Sequence, residues 1–163
     1  MMFAIPRHNS LQVYDNAQDA IFYERTDLTV YQIQDLQIDS LVLGPKGGTF
    51  ALLPNGKTSF TGDIKMRGKR HFPAIFELTS HKRSEVTVIL PKNTPHPWQH
   101  LSNTIDIKWE WVNCWNSNRF SIRSSGRKNT LVEVGIRFHV NTYGKQVLTE
   151  PVSLPFDIQA MQD

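Results

Sequence analysis

Strict alternation of apolar and polar side chains is the feature of this sequence that most limits its fold. In residues 58–66 the even positions carry Phe60, Ile64 and Met66, whereas polar side chains fill the odd positions. This period of two is typical of a β-strand. The same alternation recurs in residues 75–78, 85–90, 105–109, 119–122, 131–140 and 152–158.

Helical periodicity, in contrast, is nearly absent. Residues 15–22 are the nearest candidate for an amphipathic helix, and that segment is short. Regularly spaced short strands without helices are typical of antiparallel sandwiches. We therefore predict an all-β, immunoglobulin-like antiparallel β-sandwich of about nine short strands.

The alternation also predicts which side chains are buried. Turn dipeptides separate the apolar runs: Asn55-Gly56 is a strong hairpin signal, and Gly47-Gly48 and Tyr143-Gly144 mark further breaks. The residues predicted to form the core are Phe50, Leu52, Phe60, Ile64, Phe76, Leu78, Val88, Leu90, Val134 and Phe138.

Charge is distributed unevenly along the chain. Its 163 residues, with a net charge of +3, fit one domain with or without a structured arm. Residues 1–45 carry two basic and six acidic side chains, a net charge of −4, whereas the remainder carries +7. We predict an N-terminal arm or first strands over residues 1–35 and a β-sandwich domain over residues 36–163. An acidic arm and a basic body could be complementary between molecules, although ordinary solvated surface gives the same pattern.

Several classes of protein are disfavoured by what the sequence lacks. No run approaches about 18 apolar residues, so we predict no membrane-spanning helix. The N-terminus lacks a signal-peptide pattern, which predicts a cytoplasmic protein if that terminus is native, or a secreted or cell-surface protein whose leader has been removed. Cys114 is the single cysteine, so an internal disulfide is excluded, and its place between two tryptophans predicts a small buried hydrophobe.

Catalytic motifs are also missing. The sequence has no nucleophile elbow, phosphate-binding loop, dinucleotide fingerprint or paired-carboxylate motif. His96 and His100 have the spacing of a helical metal site, but Pro95 and Pro97 oppose a helix there. We predict a protein that is not an enzyme and that has no cofactor and no metal site.

From residue 44 onward the order of short motifs resembles a known family. A Gly47-Gly48-Thr49 step, an apolar strand and Pro54-Asn55-Gly56 are followed by a strand with Gly62-Asp63-Ile64. A strand from Pro73, a strand ending in Leu90-Pro91 and an apolar-Val-Gly strand at residues 131–135 follow. In this order they resemble a bacterial secreted, pilin-like (fimbrial-subunit-like) β-sandwich family known as a domain of unknown function. The likeness covers roughly residues 36–158.

The resemblance implies a structural subunit of a bacterial fimbria or surface appendage, exported with a periplasmic chaperone and an usher. Copies of such subunits join by strand addition, in which backbone hydrogen bonds give affinity and alternating side chains set the register. The donor segment is expected to be N-terminal and extended, or these segments are ordinary strands of the same domain. The candidate donor residues are Leu11, Val13, Ile21, Tyr23, Leu28 and Val30.

Two other functions remain open from the sequence. A carbohydrate-binding or adhesin module would stack glycans on exposed aromatic rings, for which the candidates are Trp98, Trp109, Trp111, Trp115 and Tyr143. Trp109 and Trp111 share parity on one strand, and that face is more often the core. A virion or nucleic-acid-associated structural protein would instead use the basic segment formed by Lys65, Arg67, Lys69 and Arg70. Ordinary outward-facing lysines and arginines would give the same sequence pattern.

Overall fold

The computed structural model describes residues 3–4, 12–15, 28–80, 83–91, 105–124, 129–154 and 158–162. These residues form strands and no helix, so the prediction of an all-β fold is confirmed. The strands are β1 (Phe3–Ala4), β2 (Gln12–Asp15), β3 (Leu28–Gln34), β4 (Leu36–Ile38), β5 (Leu41–Leu52), β6 (Thr58–Met66), β7 (Ala74–Ser80), β8 (Ser84–Ile89), β9 (Asp106–Val112), β10 (Arg119–Ser124), β11 (Thr130–Asn141), β12 (Val147–Leu148), β13 (Val152–Leu154) and β14 (Gln159–Gln162). The structure has more strands than the nine predicted because several strands are only two to four residues long. A strand that short contains too few residues to show an alternating pattern.

The strands form three hydrogen-bonded sheets. A five-stranded sheet has the order β1-β2-β14-β8-β10, and β4 pairs with β13 separately. The seven-stranded sheet contains β12-β5-β11-β7-β3, with β6 added to β5 and β9 added to β11. The pairings are antiparallel, as predicted, except that β2 and β14 run parallel. The predicted immunoglobulin-like arrangement remains a prediction.

Strand β11 organises the larger sheet because it is long enough to take different partners along its length. Residues 130–134 pair with β7, whereas residues 135–141 lie between β5 and β9. On the buried side, Phe138 lies opposite both Phe50 and Trp109. The Phe50 and Phe138 rings are stacked with centroids 6.3 Å apart.

One hydrophobic core includes residues of both large sheets. Phe50, Phe76 and Phe138 from the larger sheet and Val86 and Val88 from the smaller one are fully buried within it. Nine of the ten predicted core residues are buried. Phe60 is the exception, with 46% of its surface exposed. The buried Ile64 lies on the same strand, β6, but beyond Gly62, whose φ is 73°, so the two side chains belong to different parts of a bent strand.

The prediction that Gly47-Gly48 marks a break between strands is wrong, because both residues lie within β5, where residues 44–47 form a bulge. Leu43 pairs with Ile64 and Gly48 with Gly62, so residues 44–47 stand opposite Asp63 alone. Gly47 has a φ of 67°, and a side chain there would overlap the Val140 carbonyl oxygen. The buried Thr142 hydroxyl donates to the Gly44 carbonyl over 2.7 Å, which anchors the bulge to the end of β11.

The prediction that Cys114 is buried is wrong, because its side chain is exposed in the turn that follows β9. The neighbouring Asn113 takes the buried position instead. Its side-chain oxygen accepts the Trp115 N–H over 2.8 Å, and its amide donates to the Ser117 carbonyl over 2.9 Å. Asn113 is favoured there since its short amide can satisfy backbone groups of the turn, which a thiol does only weakly.

Candidate assembly site

The first strands of the chain meet its last strand in the smaller sheet. Strand β2 pairs in parallel with β14, with Gln12 opposite Gln159 and Val13 opposite Ala160. Strand β1 then pairs with β2. Because these partners lie at opposite ends of the sequence, their pairing depends on no tight turn between them.

Strand β14 connects the paired strands β1 and β2 to the core. Its other neighbour is β8, in which Val88 lies opposite Ala160. Ala160 and Val88 are fully buried, and Ile158 is 1% exposed just before the strand. If β2 were absent, β14 would present unpaired N–H and C=O groups next to this core, which is an edge ready to accept another strand.

The candidate donor residues fall in three places. Val13 lies in β2, within the parallel pair just described. Leu28 and Val30 lie in β3, are buried in the core and belong to a strand that pairs with β7 of the same chain. Leu11, Ile21 and Tyr23 lie outside the described residues. Of the candidate donor strands that the structure describes, β2 is therefore the one that adds to the sheet from the chain terminus.

Among the described strands, β6 forms an edge of the larger sheet, but it is unsuited to regular strand addition. The Thr58 hydroxyl lies 3.6 Å from the Met66 sulfur, although nine extended residues would separate the strand ends by about 27 Å. The strand bends at Gly62, whose φ is 73°. A bend and an exposed Lys65 are two of the features by which proteins protect edge strands.

The basic segment (Lys65, Arg67, Lys69 and Arg70) lies at the end of β6 and in the following loop, with its four side chains exposed. Asp39 holds the loop: its carboxylate accepts the N–H of Ser40 over 2.8 Å and of Arg70 over 3.1 Å. These two backbone hydrogen bonds, in that order, lower the pKa of Asp39 below its ordinary value. The loop is thus fixed by an ionised carboxylate.

Buried His71 closes the same loop. Its Nδ1 accepts the Asp39 N–H over 3.2 Å, and its Nε2–H donates to the Gly68 carbonyl over 3.0 Å. Both ring nitrogens are therefore used in positioning the backbone. The ring also lies 5.4 Å from that of Phe50, which links the loop to the core.

The tryptophans contribute mainly to packing. Trp109 and Trp111 share one face of β9, as predicted, and their ring centroids lie 4.9 Å apart. Trp111 is buried, and its indole N–H donates to the Pro91 carbonyl over 2.6 Å. Trp115 stacks on Phe120 at 4.2 Å. Trp98 lies outside the described residues. Tyr143 is the stacking candidate with the largest exposed fraction among those described, at 63%.

Sequence reasoning missed a polar groove on the outward face of the larger sheet. It has a volume of about 350 Å³ and is lined by Gly48, Thr49, Asp106, Lys108, His139, Val140 and Asn141. These residues come from β5, β9 and β11, which lie far apart in the sequence, so no motif could have grouped them. The one local signal was the Tyr143-Gly144 turn, because Tyr143 contacts the lining residue Asp106.

Within the described parts of the chain, no three His, Cys, Asp or Glu residues are grouped closely enough to hold a metal ion. In the same described parts of the chain, no helix is long and apolar enough to cross a membrane. No protein-family model, curated protein or solved structure matches the chain.

Proposed function

We propose that this protein is a non-enzymatic structural subunit of an extracellular bacterial fimbria or surface appendage. In this proposal, copies join when strand β2 of one copy pairs with β14 of the next. Export with a periplasmic chaperone and an usher belongs to the same proposal and rests on the order of motifs from residue 44 onward. The observation that carries the proposal is the parallel pairing of β2 with β14.

The connection between β2 and the body permits this exchange. Residues 16–27 join the end of β2 to the start of β3, which lies in the other large sheet. When extended, a segment of this length spans about 40 Å, so β2 can reach the β14 of its own copy or of a neighbour. Since the parallel pair involves no hairpin, a neighbour's β2 can replace the chain's own without changing the adjacent connections.

Repeated exchange would produce a linear assembly. Donation by one surface and acceptance by another is a head-to-tail contact, which generates an open filament when the geometry does not close a ring. The segment before β3, residues 1–27, carries two basic and four acidic side chains, and its net charge of −2 would favour encounter with the basic remainder of the next copy.

Replacing Val13 by aspartate is expected to abolish self-association of the full chain. Position 13 shares a register row with Ala160 and Val88, both fully buried, and a charged residue is disfavoured in such a row. Gln12→Asp is the matched control, since Gln12 lies opposite the exposed Gln159. Sedimentation velocity over a range of protein concentrations measures the size of the assemblies.

The expected result is assemblies for the parent chain and for Gln12→Asp, and folded monomers for Val13→Asp. Equal self-association of both variants, or a parent chain that stays monomeric at every concentration, contradicts the proposal. Far-ultraviolet circular dichroism shows whether each variant retains its β-sheet.

A further inference from the structure

Tyr143 occupies a backbone conformation that disfavours a large side chain. The Lys145 N–H donates to the Thr142 carbonyl over 3.1 Å, and φ is 50° at Tyr143 and 83° at Gly144. Positive φ at both central residues is the pattern of a type I′ turn, whose first central position favours Asn, Asp or Gly. An aromatic residue there is a genuine outlier, and outliers of this kind cluster at ligand sites.

The ring of Tyr143 is held in place although most of it is exposed. Its hydroxyl donates to the Asp106 carboxylate over 3.3 Å, and its N–H donates to the Asn141 side-chain oxygen over 3.0 Å. The negative charge of Asp106, together with that hydrogen bond, raises the pKa of Tyr143. Asp106 and Asn141 also line the polar groove, so the ring stands at its border.

The groove offers hydrogen-bonding groups of several kinds on one face. Thr49, His139 and Lys108 form a row across β5, β11 and β9, and the Thr49 hydroxyl lies 3.0 Å from His139 Nδ1. In a neighbouring row, Asn141 lies opposite Asp106. Carboxylate, amide, hydroxyl and imidazole groups together can both donate hydrogen bonds to a ligand and accept them from it.

The charges of this surface are balanced. The groove lining contains one carboxylate, from Asp106, and one ammonium group, from Lys108. Beside it on the same face, Arg137 and Glu110 form an ion pair of 2.9 Å. Because the described lining carries one carboxylate and one ammonium group, it does not strongly favour an anion or a cation, and a neutral ligand with many hydroxyl groups suits it better than a charged one.

We infer that this groove binds a neutral carbohydrate, with the Tyr143 ring stacking on a sugar face and Asp106, Asn141 and His139 bonding its hydroxyl groups. A volume of about 350 Å³ lies within the range of small-ligand sites. An aromatic face beside planar polar side chains supplies both contacts that a sugar ring offers, an apolar C–H face and a rim of hydroxyls. This site does not depend on exchange of β2 between copies.

The test is a panel of neutral oligosaccharides (cellobiose, maltotriose, lactose, chitobiose and mannotriose), with sialyllactose as the charged comparison. Binding is followed by two-dimensional ¹H–¹⁵N NMR of the full chain. We expect at least one neutral sugar to shift the amide signals of groove residues, including Thr49, Asp106 and His139. Tyr143→Asn should weaken that binding about tenfold by removing the stacking contact, while its melting temperature stays equal or rises because Asn suits the turn.

Phe72→Ala is the matched control, because Phe72 is an exposed aromatic residue, 42% accessible, that lies outside the groove lining. Its affinity for the sugar should equal that of the parent chain. The inference is overturned if no neutral sugar of the panel binds, if Tyr143→Asn binds as well as the parent chain, or if binding is confined to sialyllactose.

Discussion

Replacing Phe138 by alanine should lower the free energy of unfolding by about 4 kcal/mol, the cost typical of emptying a buried aromatic site. Phe138 is fully buried in β11, stacks on Phe50 and lies opposite Trp109. The cavity would therefore open where β5, β9 and β11 meet. Urea unfolding of the variant and the parent chain under one set of conditions measures the difference.

Phe60→Ala is the matched control for that measurement. Phe60 is also a phenylalanine and lies opposite Phe50 in the pairing of β5 with β6, but 46% of its surface is exposed. Its loss should cost about 1 kcal/mol, because much of the ring is already in contact with water. Equal losses for the two variants would show that β6 is covered, contrary to the exposure described above.

Replacing Gly47 by alanine should cost about 3 kcal/mol of stability or more, because two separate penalties add. The residue has a φ of 67°, which disfavours any side chain, and a methyl group would also overlap the Val140 carbonyl oxygen. The bulge in β5 would have to move away from β11. Since Gly48, Thr49 and Val140 line the polar groove, the groove would change shape with it.

Gly144→Ala separates the two penalties. Gly144 has a φ of 83°, but an added methyl group there would meet nothing within 4 Å. Its substitution should cost about 1 kcal/mol, the conformational penalty alone. Thermal unfolding followed by circular dichroism gives both values. If the two alanine variants melt at the same temperature, close approach of the Val140 carbonyl does not explain why residue 47 is glycine.

Alternation and turn chemistry predicted the fold class and many strand positions because both are local properties of the sequence. The Thr58–Met66 strand was predicted with the bounds that the structure has, and Gly56 adopts a positive φ in the predicted Asn55-Gly56 turn. The predictions of burial that failed concern residues whose exposure depends on the residues around them in the fold. Phe60 satisfies the same pattern as the buried Ile64, but β6 bends at Gly62 between them, and alternation alone does not indicate that bend. Cys114 is exposed because Asn113 serves the turn better.

The candidate site could be predicted only in part for the same reason. Val13 stood out as a donor candidate because of its alternating surroundings, yet nothing in residues 12–15 indicates that their partner is β14 at the other end of the chain. A parallel pair has no tight connecting turn, so no turn motif in the sequence indicates it. The groove beside Tyr143 is likewise a product of register, since Thr49, His139 and Lys108 become neighbours only when three strands align.

Exchange of β2 between copies is tested most directly by disulfide trapping of the β2–β14 pair. Residues 13 and 160 are register partners, and adjacent strands lie about 4.8 Å apart, within reach of a disulfide. In a Cys114→Ser background, one chain carries Val13→Cys, and a second chain of different length carries Ala160→Cys. The two single-cysteine chains are unfolded together, refolded and oxidised. A third chain carries both cysteines and forms a separate sample.

Strand exchange predicts a covalent heterodimer of the two single-cysteine chains on a non-reducing gel, and a ladder of covalent multimers from the double-cysteine chain. Tyr14→Cys in place of Val13→Cys is the out-of-register control and should give far less product. An internally closed monomer from the double-cysteine chain, with no heterodimer in the mixture, would show that β2 stays with its own copy and would contradict assembly by strand donation.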